Sequence, residues 1–576
     1  MTISRLCIIG LFLVSAGCAS RPVPAPAPAT EAKPVTETIG GRTFVDPYRW
    51  LEGDEQGKVT PEVAAWTDAQ NAYTRSVLDN LPGRAAVEAR LRELMTIPAM
   101  GVPVARGGPY FHTRREGSQN QAVLFVRQGP GGEPRLLLDP NALDKEGLVT
   151  LAWYVPSHDG KLLAFGIYRA GDENAVGHIL DVDTGKWLAD ELKSKVSECE
   201  WSPDGKSLFY ARLADAKNPY SKQICFHKLG DEATKDAVLF EQYKTGPLAT
   251  TYGPEFGIDR NARWMALGYY TGTRSNDLWA VDLEKWRTTG QFERREIVTG
   301  VESRSTGIIL GDTLYMQTTV DAPNGRLVAV DMKNPGRANW KVLAPERADA
   351  TLKSIDAAKD FIVLHYDQNA CSHIELIRRD GTPAGTVALP GLGSASLHAE
   401  EDSNEGFLSY TSFNTPPTIY RFELPAGNRE VWHRVDVPVD PDSVEVKQAW
   451  YPSKDGTKIS MFIVHKKGMK LDGRNPTLLY GYGGFGISMT PAFRATYFPF
   501  FEAGGVLAIP NLRGGGEYGE AWHKAGMLEK KQNVFDDFIS AAGYLIQAGY
   551  TSPNKLAISG GSNGGLLVGA VLVQCP

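Results

Sequence analysis

The chain has 576 residues, too many for one ordinary hydrophobic core, so more than one domain is expected. With 42% hydrophobic and 22% charged residues it has the composition of a folded globular protein, not of a disordered or fibrous one. A net charge of −6 argues against nucleic acid or an anionic membrane surface as partner, because either calls for a basic face.

The first element is an address. Residues 1–5 carry positive charge, and residues 6–14 form an apolar run too short to span a bilayer. Ser15-Ala16-Gly17-Cys18 resembles a bacterial lipobox. Residues 1–17 therefore read as a lipoprotein-type signal peptide, with Cys18 as the acylated residue; a plain secretory signal cut nearby is the alternative. Either places the mature protein outside the cytoplasm, on the periplasmic face of a bacterial membrane or in the periplasm. The lipid on Cys18 is the only membrane contact expected. Residues 18–36 are rich in Pro and Ala and predict a semi-rigid extended tether. Cys199, Cys225, Cys371 and Cys575 are widely spaced, with no C-x-x-C pair, so free buried thiols are expected and a zinc site is not.

Residues 37–97 give helical signals, with apolar side chains at three- and four-residue steps from Pro61 to Leu78 and again from Ala85 to Leu94. After Pro98 short apolar or alternating runs appear between Gly, Asp, Asn and Pro turns. They recur at roughly 45–50 residues, a spacing in the range of propeller blades. Seven runs mark the period, beginning at Tyr110, Leu162, Leu208, Trp264, Leu314, Phe361 and Phe407. Residues 98–444 thus predict an all-β seven-bladed propeller. A β-sandwich array would share the strands but not the period.

From residue 445 the pattern changes to alternating strands, then continuous apolar runs at Thr477 and Val506, a helix near residues 533–548, and a further strand. Strands alternating with helices predict an α/β domain over 445–576. Its last strand runs into Gly560-Gly561-Ser562-Asn563-Gly564, followed by a helix of small and apolar residues. This is the G-x-S-x-G nucleophile elbow in the context the motif requires. Small neighbours are needed because the serine occupies a strained strand-to-helix turn, and the N–H of Asn563 then sits at a helix N-terminus, where it can stabilise an oxyanion. The same letters alone would also fit an ordinary Gly-rich turn.

Several strings in this order resemble the prolyl oligopeptidase family of serine peptidases, over nearly the whole mature chain. They are Asp46-Pro-Tyr-Arg-Trp-Leu-Glu52, Ser412-Phe-Asn-Thr-Pro-Pro-Thr-Ile-Tyr420, Leu479-Tyr-Gly-Tyr-Gly-Gly-Phe485, Asn511-Leu-Arg-Gly-Gly-Gly-Glu-Tyr-Gly-Glu-Ala-Trp-His523, Phe535-Asp-Asp-Phe538 and the elbow itself. The resemblance implies an α/β-hydrolase domain capped by the propeller, with the N-terminal helices packed on the hydrolase domain and the propeller admitting only short peptides. It implies Ser562 as nucleophile, the Asn563 N–H and the Tyr482 hydroxyl as oxyanion donors, and Phe485 as a wall of the proline pocket. It implies cleavage of short peptides after proline, without metal or organic cofactor; a monomer is expected. Related oligopeptidases of basic-residue or acylaminoacyl specificity, and a non-catalytic peptide-binding propeller lipoprotein, are the competing readings.

Other residues read as structural. Gly514-Gly515-Gly516 lacks the ending of a phosphate loop and predicts a tight loop near the site. Asp536 and Asp537 open a helix, where the dipole favours carboxylates. His465 and His523 precede the serine, whereas in this fold class the order is serine, acid, histidine. No Asp, Glu or His occurs among the fourteen residues after Ser562. The hydrolase domain is therefore expected to be incomplete, truncated after the elbow, and the polypeptide as written to have little peptidase activity.

Overall fold

The computed structural model describes residues 26–425 and 429–576, so the leader and Cys18 lie outside the described residues. The chain divides into one unit ending at Arg90 and a second running Leu91–Pro576.

In the first unit, strands Val35–Ile39 and Arg42–Asp46 pair as a hairpin that the helical signals did not announce. Its turn is Gly40-Gly41, both at positive φ, the backbone a two-residue hairpin turn demands. Helix α1 (Pro61–Leu78) starts where Thr60 Oγ1 accepts from the Val63 N–H and Pro61 fixes φ at the first position. Helix α2 spans Arg84–Met95. The expected tether is docked from Pro28 onward. Gln70 Nε2 donates to the Pro28 carbonyl (2.9 Å), Trp66 Nε1 to Thr30 Oγ1 (3.0 Å) and Trp50 Nε1 to the Glu31 carbonyl (2.9 Å).

In the second unit, among the described residues, seven antiparallel sheets follow one another over 99–138, 149–192, 198–241, 254–298, 305–344, 351–387 and 394–434. Each is built from consecutive strands, and this is the expected seven-bladed propeller. The seven marker runs all fall on the second strand of a blade. That strand is buried on both faces by the neighbouring blades, as Leu208, Phe209 and Tyr210 show at 0% exposure, which is why it stands out in the sequence. The propeller ends at Arg434, short of the expected 444, and Val444 opens the next sheet.

Among the described residues no strand is exchanged between the first and last blades, and side chains tie their seam. Tyr110 donates to Glu405 Oε2 (2.8 Å), Arg421 Nε donates to Glu405 Oε1 (2.5 Å), and the Arg127 guanidinium stacks 3.5 Å over Trp432. On the face formed by the loops between first and second strands, Arg260 of the fourth blade reaches Asp402 of the seventh (2.7 Å). Arg106 of the first blade pairs with Glu400 beside it. The Arg260–Asp402 ion pair links two nearly opposite blades across that face of the propeller.

Between the second and third blades His227 is fully buried between two carboxylates, Nδ1 against Asp236 (2.8 Å) and Nε2 against Asp190 (3.0 Å). Burial pulls its pKa down, but hydrogen bonds and charge from Asp236 and Asp190 outweigh it and raise the pKa above 6.5. A group with a raised folded-state pKa contributes stability in full below about 6.5 and loses it as pH rises through the folded value. Replacing His227 by Gln is therefore expected to cost more stability at pH 6 than at pH 9. Urea unfolding at the two pH values checks this, and equal costs would mean that the imidazolium is not the stabilising form.

The hydrolase sheet has strands β1 (Val444–Pro452), β2 (Lys458–Lys466), β3 (Thr477–Tyr480), β4 (Val506–Pro510) and β5 (Leu556–Ser559). Their spatial order is β1-β2-β4-β3-β5, with β4, β3 and β5 parallel. Helix α3 (Gln532–Gln547) buries Val534, Phe538, Ala541 and Leu545 against the sheet, and helix α4 (Asn563–Gln574) adds Leu567 and Val571 to the same core.

Candidate active site

Adjacent parallel strands bring the predicted residues together. Tyr480, the last residue of β3, is in register with Ser559, the last of β5, and the Gly481 N–H donates to the Ser559 carbonyl (3.0 Å). Tyr482 and Ser562 therefore leave the same end of the sheet within three residues of a shared register point. At an open α/β sheet this carboxyl end is where ligands bind.

Glycine packing sets how close the two loops come. A Cβ on Gly564 would lie 2.5 Å from the Gly481 carbonyl, and one on Gly560 2.8 Å from the same oxygen. Only hydrogen fits at both positions. Ser562 itself has φ 55° and ψ −118°, a left-handed conformation that costs a non-glycine residue roughly 1–3 kcal/mol and here turns the hydroxyl outward ahead of α4. Ser562 is exposed and its side chain makes no capping bond to the helix it precedes. The Asn563 backbone N–H is the first of that helix.

Phe485 carries a second strained backbone, φ 54°, and is 54% exposed. A core residue would be neither. It lines a cavity of about 500 Å³ together with Asn563, Lys531, His523, Arg274 and Glu302. Arg274, from the propeller, donates to the Gly486 carbonyl (2.7 Å) and lies 3.6 Å from Glu520, so the cavity is walled by both domains of this unit. Gly514 lines it as well, as the tight-loop reading of Gly514-Gly515-Gly516 anticipates. Ser562, Asn563, Tyr482 and Phe485 thus converge on one end of the sheet. Among the described residues, no group of three His, Cys, Asp or Glu is placed to hold a metal ion.

The two early histidines differ. His465 pairs with Val506, the first residue of β4, at the end of the sheet away from Ser562, and its Nδ1 faces the Lys466 carbonyl (2.9 Å). His523 lines the cavity with Nδ1 held by Glu520 (3.1 Å).

Neither Asp536 nor Asp537 lies in the first turn of α3, so the helix dipole is not what places them. Asp537 is fully buried and accepts from Arg513 Nη2 (2.6 Å), Arg513 Nε (3.0 Å) and Ser453 Oγ (2.6 Å). Sequence reasoning also missed Lys531. Its ammonium donates to the Gly483 carbonyl (2.8 Å) and to Asn563 Oδ1 (2.9 Å), and burial lowers its pKa. Next to Lys530, it looks like half of an ordinary surface pair, and nothing local marks it.

Two family models match the chain: the prolyl oligopeptidase N-terminal beta-propeller domain over residues 27–435, and the prolyl oligopeptidase family over residues 491–576. A prolyl endopeptidase of Elizabethkingia meningoseptica is 34% identical over 559 residues, spanning 95% of this chain and 77% of its own. Among solved structures, a chain from a study of two prolyl endopeptidases and their inter-domain dynamics is 41% identical with a TM-score of 0.88, covering 96% of this chain and 81% of that one. Prolyl oligopeptidase B from Galerina marginata, bound to a 35mer hydrolysis and macrocyclization substrate, is 29% identical with a TM-score of 0.87, again over 96% of this chain and 81% of its own. The chain belongs to the prolyl oligopeptidase family of serine peptidases.

Proposed function

We propose that the site binds short peptides with proline before the scissile bond and cleaves them by acyl transfer to Ser562. In this reading Ser562 Oγ attacks the carbonyl, and the Asn563 N–H and Tyr482 hydroxyl stabilise the oxyanion that forms. Phe485 supplies the flat apolar wall that a proline ring, with no N–H to satisfy, requires. The observation that carries the reading is the convergence of Tyr482 and Ser562 at one end of adjacent strands, beside an exposed and strained Phe485. The 576-residue polypeptide by itself is proposed to turn over slowly, because neither histidine of the hydrolase domain suits the role of base.

Peptide aldehydes test the assignment without requiring turnover. The serine O–H adds across the aldehyde C=O, Oγ bonding to carbon and the proton ending on the former carbonyl oxygen. Three N-acyl-glycyl aldehydes ending in prolinal, argininal or alaninal are compared by calorimetry. The prolinal is expected to bind at least about tenfold more tightly, the scale on which an apolar pocket discriminates. Tightest binding of argininal would instead assign basic-residue specificity. If no aldehyde binds better than its alcohol, and Ser562→Ala changes nothing, the peptide-binding reading replaces the catalytic one.

A further inference from the structure

We propose that Lys531 is a positioning residue of the oxyanion site: it ties the loop carrying Tyr482 to the residue after the nucleophile. The inference rests on the assignment of Ser562, Asn563 and Tyr482 given above, and extends it.

Three hydrogen bonds close a ring. Lys531 Nζ donates to the Gly483 carbonyl (2.8 Å) and to Asn563 Oδ1 (2.9 Å), while Asn563 Nδ2 donates to the Tyr482 carbonyl (2.6 Å). The two proposed oxyanion donors come from segments 81 positions apart, yet each donor residue or its immediate neighbour is a member of this ring. Gly484 packs onto the Asn563 side chain so closely that a Cβ there would lie 2.5 Å from Nδ2, which leaves the amide little room to reorient.

The placement of the lysine is costly unless its neighbours need it. Lys531 occupies the N-cap of α3, where the helix dipole disfavours a cation and Ser, Thr, Asp or Asn is the usual choice. It is half-buried, which burdens an ammonium group, and among the described residues no carboxylate pairs with it. A lysine serving only to cap or solubilise the helix would gain nothing from this position. A lysine that fixes the Gly483 and Asn563 oxygens gains two charge-assisted bonds and orients both sides of the oxyanion site.

The test uses the 576-residue chain and two ligands, an N-acyl-glycyl-prolinal and the matching prolinol. Both fill the proline pocket, and only the aldehyde forms the adduct whose oxygen the oxyanion donors hold. In Lys531→Met the aldehyde affinity is expected to fall about 10- to 100-fold, the scale of a lost hydrogen bond from a charged donor, with prolinol affinity unchanged within about twofold. Lys531→Gln keeps an amide NH2 donor without the charge and is expected to lose less; it carries the same comparison if the Met variant does not fold. Equal losses for both ligands would show a merely structural role and overturn the proposal, as would no loss at all. If the unmodified chain does not prefer the aldehyde, the catalytic reading fails first, and this inference falls with it.

Discussion

A purified polypeptide of these 576 residues is expected to cleave a glycyl-prolyl amide on the order of 10⁴- to 10⁶-fold more slowly than a serine peptidase with a complete serine–histidine pair. A serine hydroxyl is a weak nucleophile until a base takes its proton, and removing the histidine of a triad costs about as much as removing the serine. All ten histidines of the chain precede Ser562. Eight lie in the propeller. His465 sits at the far end of the hydrolase sheet with Nδ1 turned to a backbone carbonyl. His523 shares the cavity with Phe485 and Asn563, but its Nδ1 is engaged by Glu520, and it precedes the nucleophile instead of following it. The residual rate left to positioning and the oxyanion donors should be insensitive to His523→Ala. Initial rates with a chromogenic glycyl-prolyl amide, measured beside a prolyl endopeptidase of the family, check both statements. An ordinary rate that disappears in His523→Ala would make that histidine the base and overturn the expectation.

The proposed oxyanion site is assembled from parts that differ in how visible they are in the sequence. The elbow is legible because a strained turn excludes side chains from its neighbours, so Gly560 and Gly564 appear as letters. The propeller is legible because the second strand of each blade carries a short buried run rich in apolar residues, and that run recurs from blade to blade. Tyr482 is different. Its backbone is placed by the register of β3 against β5, and no local pattern separates a tyrosine in a glycine-rich loop from a core aromatic; only the resemblance of the whole string marks it. Phe485 becomes distinctive once its exposure and positive φ are seen. Lys531 and the Arg513–Asp537 pair are invisible for a shared reason. Their partners lie 24 to 48 positions away, and the chemistry resides in the distance between side chains brought together by the sheet. The docking of residues 28–31 is not legible in a Pro- and Ala-rich tether, because its partners are tryptophan and glutamine N–H groups on other elements, which composition does not register.

Asp537→Asn is expected to destabilise the hydrolase domain by about 3–5 kcal/mol, the cost of breaking a buried ion pair from one side. Arg513 is 5% exposed and Asp537 0%. Burial alone would favour loss of the guanidinium proton, but bonds to Asp537 and Asp455 reverse this and raise the Arg513 pKa. The arginine thus remains a buried cation when its main partner is neutralised. Asp455 cannot replace Asp537, since its side chain is half exposed and already engages Arg513 Nη1 (2.5 Å). The asparagine also loses one acceptor among the bonds from Ser453, Arg513 Nε, Arg513 Nη2 and the Arg513 N–H. The consequence extends to the site because Arg513 begins the Gly514-Gly515-Gly516 loop. A Cβ on Gly514 would come within 2.6 Å of the Gly483 carbonyl, and the Gly486 N–H donates to the Gly514 carbonyl (2.9 Å). A loosened Arg513 therefore loosens the segment that holds Tyr482 and Phe485, and aldehyde affinity should fall along with stability. The double variant Asp537→Leu with Arg513→Met separates the two effects. Replacing both charges with apolar groups is commonly neutral or stabilising, so stability should return toward that of the unmodified chain. A single Asp537→Asn variant that unfolds at the same urea concentration as the unmodified chain would show that the pair carries no net stability and that packing around β1 and α3 alone holds this loop.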